Sequence, residues 1–152
     1  MRTYDDIADY RAELLKKGIL TENELAVVNN KKIHRFLNST ICKRIDDALS
    51  VNRETAFTLG LTAYDVYGDE KYISDTDLIH VDGIIDLYFE EIDGMVLLDY
   101  KTDHIENGNY KPVMDKYEIQ LKLYADAIER TTGKKVKEKC LYLFGIDEVK
   151  FY

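Results

Sequence analysis

Three side chains in one stretch of this sequence are of the types that could work together on a phosphate: Asp86, Asp99 and Lys101. Two carboxylates brought to one place can share a divalent cation. Mg²⁺ takes hard oxygen ligands at about 2.0–2.1 Å, keeps several of its waters, and is usually held by one or two carboxylates with substrate phosphate completing the shell. A cation so held neutralises phosphate charge and lowers the pKa of an attacking water. A lysine beside it positions that water or faces the charge that develops.

These residues need a scaffold that places them together. From Ile79 to Phe89 the odd positions are Ile79, Val81, Gly83, Ile85, Leu87 and Phe89, and the even positions are His80, Asp82, Ile84, Asp86 and Tyr88. Such alternation predicts a strand with one buried face. Met95-Val96-Leu97-Leu98 is an unbroken apolar run, as expected of a strand covered on both sides. Asp93-Gly94 between the two is a strong hairpin signal. With Asp93-Gly94 as a two-residue loop, Ile92 pairs with Met95, Tyr88 with Asp99, and Asp86 with Lys101. Asp86 and Asp99 are then diagonal neighbours about 7–8 Å apart on one face. A slip of one residue would turn Asp86 to the opposite face.

The residues also admit a plainer account. An acid, any residue and a lysine occur three times, at Asp69-Glu70-Lys71, Asp99-Tyr100-Lys101 and Glu148-Val149-Lys150. Solvated charge explains the first and third. The middle copy alone follows a buried strand and has an acid across the expected hairpin. Asp86 lies between Ile85 and Leu87, where an unpartnered carboxylate is unfavourable. A structural Asp86–Lys101 salt bridge therefore stands beside the metal site as a reading of the same residues.

At 152 residues the chain is the size of a single domain with a real core. Its apolar runs fall short of a membrane span, and Met-Arg-Thr-Tyr-Asp-Asp at the start has no apolar signal region. Cys42 and Cys140 lack metal-ligand spacing and are expected as buried free thiols in a reducing, cytoplasmic compartment. The net charge of −8 argues against a surface that grips DNA by electrostatics alone, and points to a companion domain that delivers any nucleic-acid substrate. Some of the 12 tyrosines could stack on bases, although core and rim packing explains most of them.

Residues 4–17 read as a helix ended by Gly18, and Thr21 with Glu24 as a capping box opening a short helix to about Val28. Residues 31–49 read as one or two helices, with His34 on an exposed surface. Val51 to Leu59 alternates as a strand whose one acid is Glu54. Residues 62–76 are polar and read as a loop or hairpin tip. After Lys101 comes a loop through Lys111, then a helix from Pro112 to about Thr131, stopped before Gly133. That helix places Tyr117, Gln120 and Tyr124 on one face and Leu121, Ala125 and Ile128 on a neighbouring one. Val136 to Ile146 reads as a strand, with Glu148 to Tyr152 as its hairpin partner.

Arg53-Glu54 with Phe57, Gly83-Ile84-Ile85-Asp86, Asp99-Tyr100-Lys101-Thr102-Asp103, Gln120 with Tyr124, and Leu141-Tyr142-Leu143-Phe144 occur here in an order that resembles the PD-(D/E)XK nuclease superfamily. The likeness is to its RecB-like branch, as found in AddAB-type helicase–nucleases. It implies an α/β (α+β) fold with a restriction-endonuclease-like core: a mixed central β-sheet flanked by helices, with an N-terminal helical segment over 1–50 and the nuclease core over 51–152. It also implies Asp86, Asp99 and the Tyr100 carbonyl as ligands of Mg²⁺ or Mn²⁺, with Lys101 as the catalytic lysine. Glu54 would support the metal or its waters, and Gln120 and Tyr124 would line the site. The implied activity is exonucleolytic cleavage of single-stranded DNA in double-strand-break repair. The implied partners are DNA, the helicase domains of a parent chain and an AddB-like subunit.

Relatives in this branch carry a histidine in a Gly-x-x-x-His setting well ahead of the Arg-Glu strand. That segment and a Gly-rich phosphate loop are both missing from this sequence, so the chain is expected to be a fragment of a longer protein. A cysteine set for an iron–sulfur cluster is missing as well, which favours the A-type subunit. The alternative is a catalytically inactive nuclease-like module that binds DNA or a partner subunit.

Overall fold

A computed structural model describes residues 3–72, 74 and 76–152. Four helices come first. Helix α1 (Tyr4–Lys16) and α2 (Glu22–Val27) each open on a capping box, Thr3 with Asp6 and Thr21 with Glu24. Each box satisfies two backbone donors that a helix start leaves free. Helices α3 (Asn30–Leu37) and α4 (Thr40–Asp46) follow, capped by Asn29 and Ser39. Strand β1 (Ser50–Thr62) then runs antiparallel to β2 (Leu78–Glu91), which pairs with β3 (Gly94–Lys101). The long helix α5 (Lys111–Thr132) carries the chain over to β4 (Val136–Leu143), parallel to β3, and β5 (Glu148–Phe151) returns antiparallel. The five strands lie in sequence order in one mixed sheet, so β3 is central.

The expectation for residues 62–76 is corrected. Ala63–Tyr67 forms a short helix with Thr62 and Asp65 as its capping box, and Glu70–Tyr72 forms one 3₁₀ turn. Residues 73 and 75 of that stretch lie outside the described residues. His34 is also not on an open surface: it is half-buried, and its ring stacks on Tyr4 with centroids 4.1 Å apart.

Each face of the sheet has its own core. Leu121, Tyr124, Ala127 and Ile128 of α5 pack with Met95 and Leu97 of β3 and Leu141 and Leu143 of β4. On the other face Ile41 and Ile45 of α4, with Phe36 of α3, cover Val96, Leu98, Cys140 and Tyr142. Alternation along β3 and β4 supplies both cores, as a sheet covered on both faces requires.

The outer strands behave differently. Val51 joins the α4-side core, whereas Phe57, Leu59 and Leu61 of the same strand join the α5-side core. In β2, Ile85 packs on the α5 side, and Leu87 and Phe89 on the α4 side. The expected single buried face of β2 is therefore two half-faces that change over at Asp86. The cause is visible across the ladder. Glu54 has φ +48, a left-handed conformation that few non-glycine residues adopt, and it drops out between the pairs Arg53–Leu87 and Thr55–Ile85. The register is the same on both sides, so Glu54 and Asp86 are the one facing pair the ladder skips, and the left-handed backbone at Glu54 breaks the period of two there.

Candidate functional site

The β2–β3 hairpin differs from the expected register by two residues. Glu91 pairs with Gly94, Glu90 with Met95 and Leu87 with Leu98, so the two turn residues are Ile92 and Asp93. Gly94 belongs to the strand. Its φ is +145, and a Cβ there would lie 3.0 Å from the Lys135 carbonyl oxygen, so β4's approach keeps the position bare. A shift of two preserves the face. Carried one step past the last pair, this register sets Asp86 directly across from Asp99 instead of Lys101.

There the strands part. Asp86 Oδ2 accepts a hydrogen bond from the Tyr100 N–H at 3.0 Å. A strand residue turns its N–H and C=O to the same edge. The Tyr100 carbonyl therefore faces the gap beside Asp86, while the Lys101 carbonyl accepts from Phe144 N–H on the β4 side at 2.9 Å. The Tyr100 ring lies in the other core, edge-on to Phe36 at 5.2 Å. Only its backbone serves the site.

Asp99 is 2% exposed, the one charged residue in the buried core among the described residues. Its Oδ2 lies 2.5 Å from Lys101 Nζ, yet no donor meets it along a hydrogen-bond direction. Burial pushes the Asp99 carboxyl above the ordinary carboxylate range; Lys101 pulls it back, and the charge on Asp86 adds to the rise. The salt bridge that forms is thus Asp99–Lys101, and the Asp86–Lys101 pair considered from sequence gives way to the backbone bond of Asp86.

Helix α5 supplies the remaining groups. Lys101 Nζ donates to Gln120 Oε1 at 3.1 Å, and Gln120 Nε2 donates to the Tyr124 hydroxyl at 2.8 Å. Tyr124 stands edge-on to Phe57 of β1, with centroids 5.3 Å apart. Sequence reasoning gave three residues here no role, although it placed Tyr117 on the face of Gln120 and Tyr124 and Asp103 in the run after Lys101. The Tyr117 ring centroid is 4.1 Å from Lys101 Nζ, and the Tyr117 hydroxyl donates to Asp103 at 3.0 Å. Lys116 pairs with the same carboxylate at 2.8 Å. Asp103 is held below the ordinary range first by that lysine. The signal for Tyr117 was its spacing three residues before Gln120.

Residues 3–150 match the model of the PD-(D/E)XK nuclease superfamily. The chain belongs to that superfamily. It is similar to the A-type subunit of the ATP-dependent helicase/nuclease of Clostridioides difficile, 42% identical over 155 residues that cover 97% of this chain and 12% of that protein. The corresponding proteins of Acetivibrio thermocellus and Alkaliphilus metalliredigens are 40% and 44% identical over 92% and 89% of the chain, each covered to 11%. The chain thus spans 11–12% of the length of these curated relatives.

In this PD-(D/E)XK chain the residues expected from the sequence to form the motif, Asp86 and Asp99-Tyr100-Lys101, lie on neighbouring strands of the sheet. A divalent cation suits these donors. Asp99 Oδ2, the Asp86 carboxylate and the Tyr100 carbonyl are all hard oxygens, and a positive ion among them would offset the burial, and the lesser repulsion from Asp86, that raise Asp99. Glu54 is exposed at the kink, and among the described residues no third His, Cys, Asp or Glu forms a ligating group with the two aspartates.

Proposed function

We propose that this chain is the nuclease domain of a larger helicase–nuclease polypeptide and hydrolyses phosphodiester bonds of single-stranded DNA with Mg²⁺ or Mn²⁺. Residues 1–50 form its helical segment and 51–152 its catalytic core. The observation that carries the reading is the buried Asp99, with an oxygen lacking an aligned donor, placed across from Asp86 and beside Lys101.

Asp86, Asp99 and the Tyr100 carbonyl hold the ion, and Glu54 acts through its waters. When bound, the ion neutralises the scissile phosphate and acidifies an attacking water. Lys101 orients that water and faces the transition-state charge. Gln120 and Tyr124 fix the lysine's direction and close the site on the α5 side. DNA reaches the site as an end fed by helicase domains of a longer parent chain, whose partner is an AddB-like protein, and cleavage is exonucleolytic. The alternative is a module that binds DNA or a partner without cutting. The Asp99–Lys101 contact favours it, since the lysine already occupies the carboxylate.

The test combines calorimetry with Mn²⁺ and a cleavage assay on labelled single-stranded DNA. Asp99→Ala should abolish Mn²⁺ binding, and Lys101→Met should retain binding while lowering the cleavage rate about 100-fold or more. Mn²⁺ binding undiminished in Asp99→Ala, or full activity in Lys101→Met, would overturn the assignment. Metal binding without cleavage by the parent would favour the non-catalytic module.

A further inference from the structure

We infer that Tyr117 is a positioning residue: its ring is the seat that aims the Lys101 ammonium. The inference rests on the nuclease reading above and goes beyond the motif residues.

A lysine ammonium is a compact charge on a flexible four-carbon stem, so something must choose its direction. Three groups surround Lys101 Nζ: Asp99 at 2.5 Å, Gln120 Oε1 at 3.1 Å and the Tyr117 ring at 4.1 Å. Asp99 alone would draw the ammonium into a closed ion pair. The aromatic face supplies attraction from another side, without an acceptor oxygen that would compete for the lysine's protons.

The ring is itself fixed. Its hydroxyl donates to both oxygens of Asp103, at 3.0 and 3.3 Å, and Asp103 is anchored in turn by Lys116 at 2.8 Å. The Lys116 ammonium also lies 4.7 Å from the same ring. A carboxylate accepting from the phenol raises electron density in the ring, which strengthens its hold on a cation. Tyr117 and Gln120 are one helical turn apart on α5, so one rigid element sets two of the three contacts.

A purely structural role for Tyr117 would be to anchor the Asp103 loop through its hydroxyl, and the two roles separate by substitution. Tyr117→Phe keeps the ring and loses the hydroxyl, whereas Tyr117→Leu loses both. The seat predicts kcat within about threefold of the parent for Phe and about tenfold or more lower for Leu, with KM and Mn²⁺ affinity little changed. An activity-independent readout is the proton–carbon NMR signal of the Lys101 ε-methylene, assigned by its loss in Lys101→Met. Ring current should shift it upfield in the parent and in Tyr117→Phe, and not in Tyr117→Leu. If Leu lowers the melting temperature, Tyr117→Met fills similar space without a ring. An unshifted ε-methylene in the parent, or a kcat in Phe as low as in Leu, would overturn the seat. Undiminished cleavage in Lys101→Met would instead mean that the nuclease reading has failed.

Discussion

Gly83 has no side chain because Phe57 occupies the space. The two residues pair across β1 and β2, and a Cβ on Gly83 would lie 2.7 and 2.9 Å from the edge of the Phe57 ring and 3.5 Å from Tyr124. With the glycine bare, Phe57 lies over β2 and meets Tyr124, which meets Gln120, which meets Lys101. A methyl group at Gly83 should push Phe57 out of this line. Gly83→Ala is expected to destabilise the fold by about 1–3 kcal/mol, read as a lower melting temperature. Trimming the obstruction in Gly83→Ala/Phe57→Leu should recover part of that loss. A Gly83→Ala variant that melts with the parent would show that the ring moves aside freely.

At the scale of elements, α4 is fastened to the sheet by one arginine. Arg44 forks onto Glu91 at the end of β2, with Nε and one terminal nitrogen at 2.8 and 2.9 Å, and its other terminal nitrogen reaches Glu138 of β4 at 2.8 Å. Lys137 adds a contact to Glu91 at 2.5 Å. The Arg44 hydrogen bonds lead the causes that bring the Glu91 carboxyl down to about 2. A carboxylate depressed in the folded state stabilises the fold above its unfolded pKa, and that stabilisation fades as pH falls through the folded value. Glu91→Gln should therefore lose about 1–3 kcal/mol at neutral pH. The gap to the parent should close between about pH 4.5 and 2, and chemical denaturation across that range measures it. A pH-independent gap would assign the loss to packing.

Where local chemistry decides, the elements were legible in the sequence. Thr21 with Glu24 gave α2, and Pro112 and Gly133 bracketed α5. The same Thr-x-x-acid signal at Thr62 and Asp65 went unread because the helix it opens is only five residues long and shows no periodicity. The hairpin register was misjudged for a long-range reason: the turn closes one residue early because β4 passes against Gly94, with Lys135 as the distant neighbour. An error of two keeps the face, and the Asp86 charge acts on Asp99. The crossover of β1 and β2 between cores had no local sign, since Glu54 is not a residue that favours positive φ. The aspartates and Lys101 were legible as a group, and Tyr117 as a residue on the Gln120 face; its contact with Lys101 was not, because it depends on how α5 lies over β3.

The molecule as a whole carries 21 basic and 29 acidic side chains, and many of the bases are engaged. Lys111 pairs with Asp115, Lys116 with Asp103, Lys134 with Glu90, Lys150 with Glu148 and Arg130 with Asp126. The acids outnumber the bases, so the net charge of −8 opposes the approach of a nucleic-acid backbone. Single-strand affinity falls with salt at about −0.7 per phosphate neutralised on a log–log scale. The isolated chain should therefore bind a labelled single-stranded oligonucleotide weakly, with a slope shallower than about −2, as read by fluorescence anisotropy from about 50 to 200 mM salt. Added Mn²⁺ should tighten binding more than lowered salt does, because the ion would seat the phosphate at Asp86 and Asp99. Submicromolar affinity with a slope near about −4 or steeper would contradict this division of labour. It would mean that the chain grips DNA by itself, through a basic surface, and needs no other domain to bring the strand to Asp99.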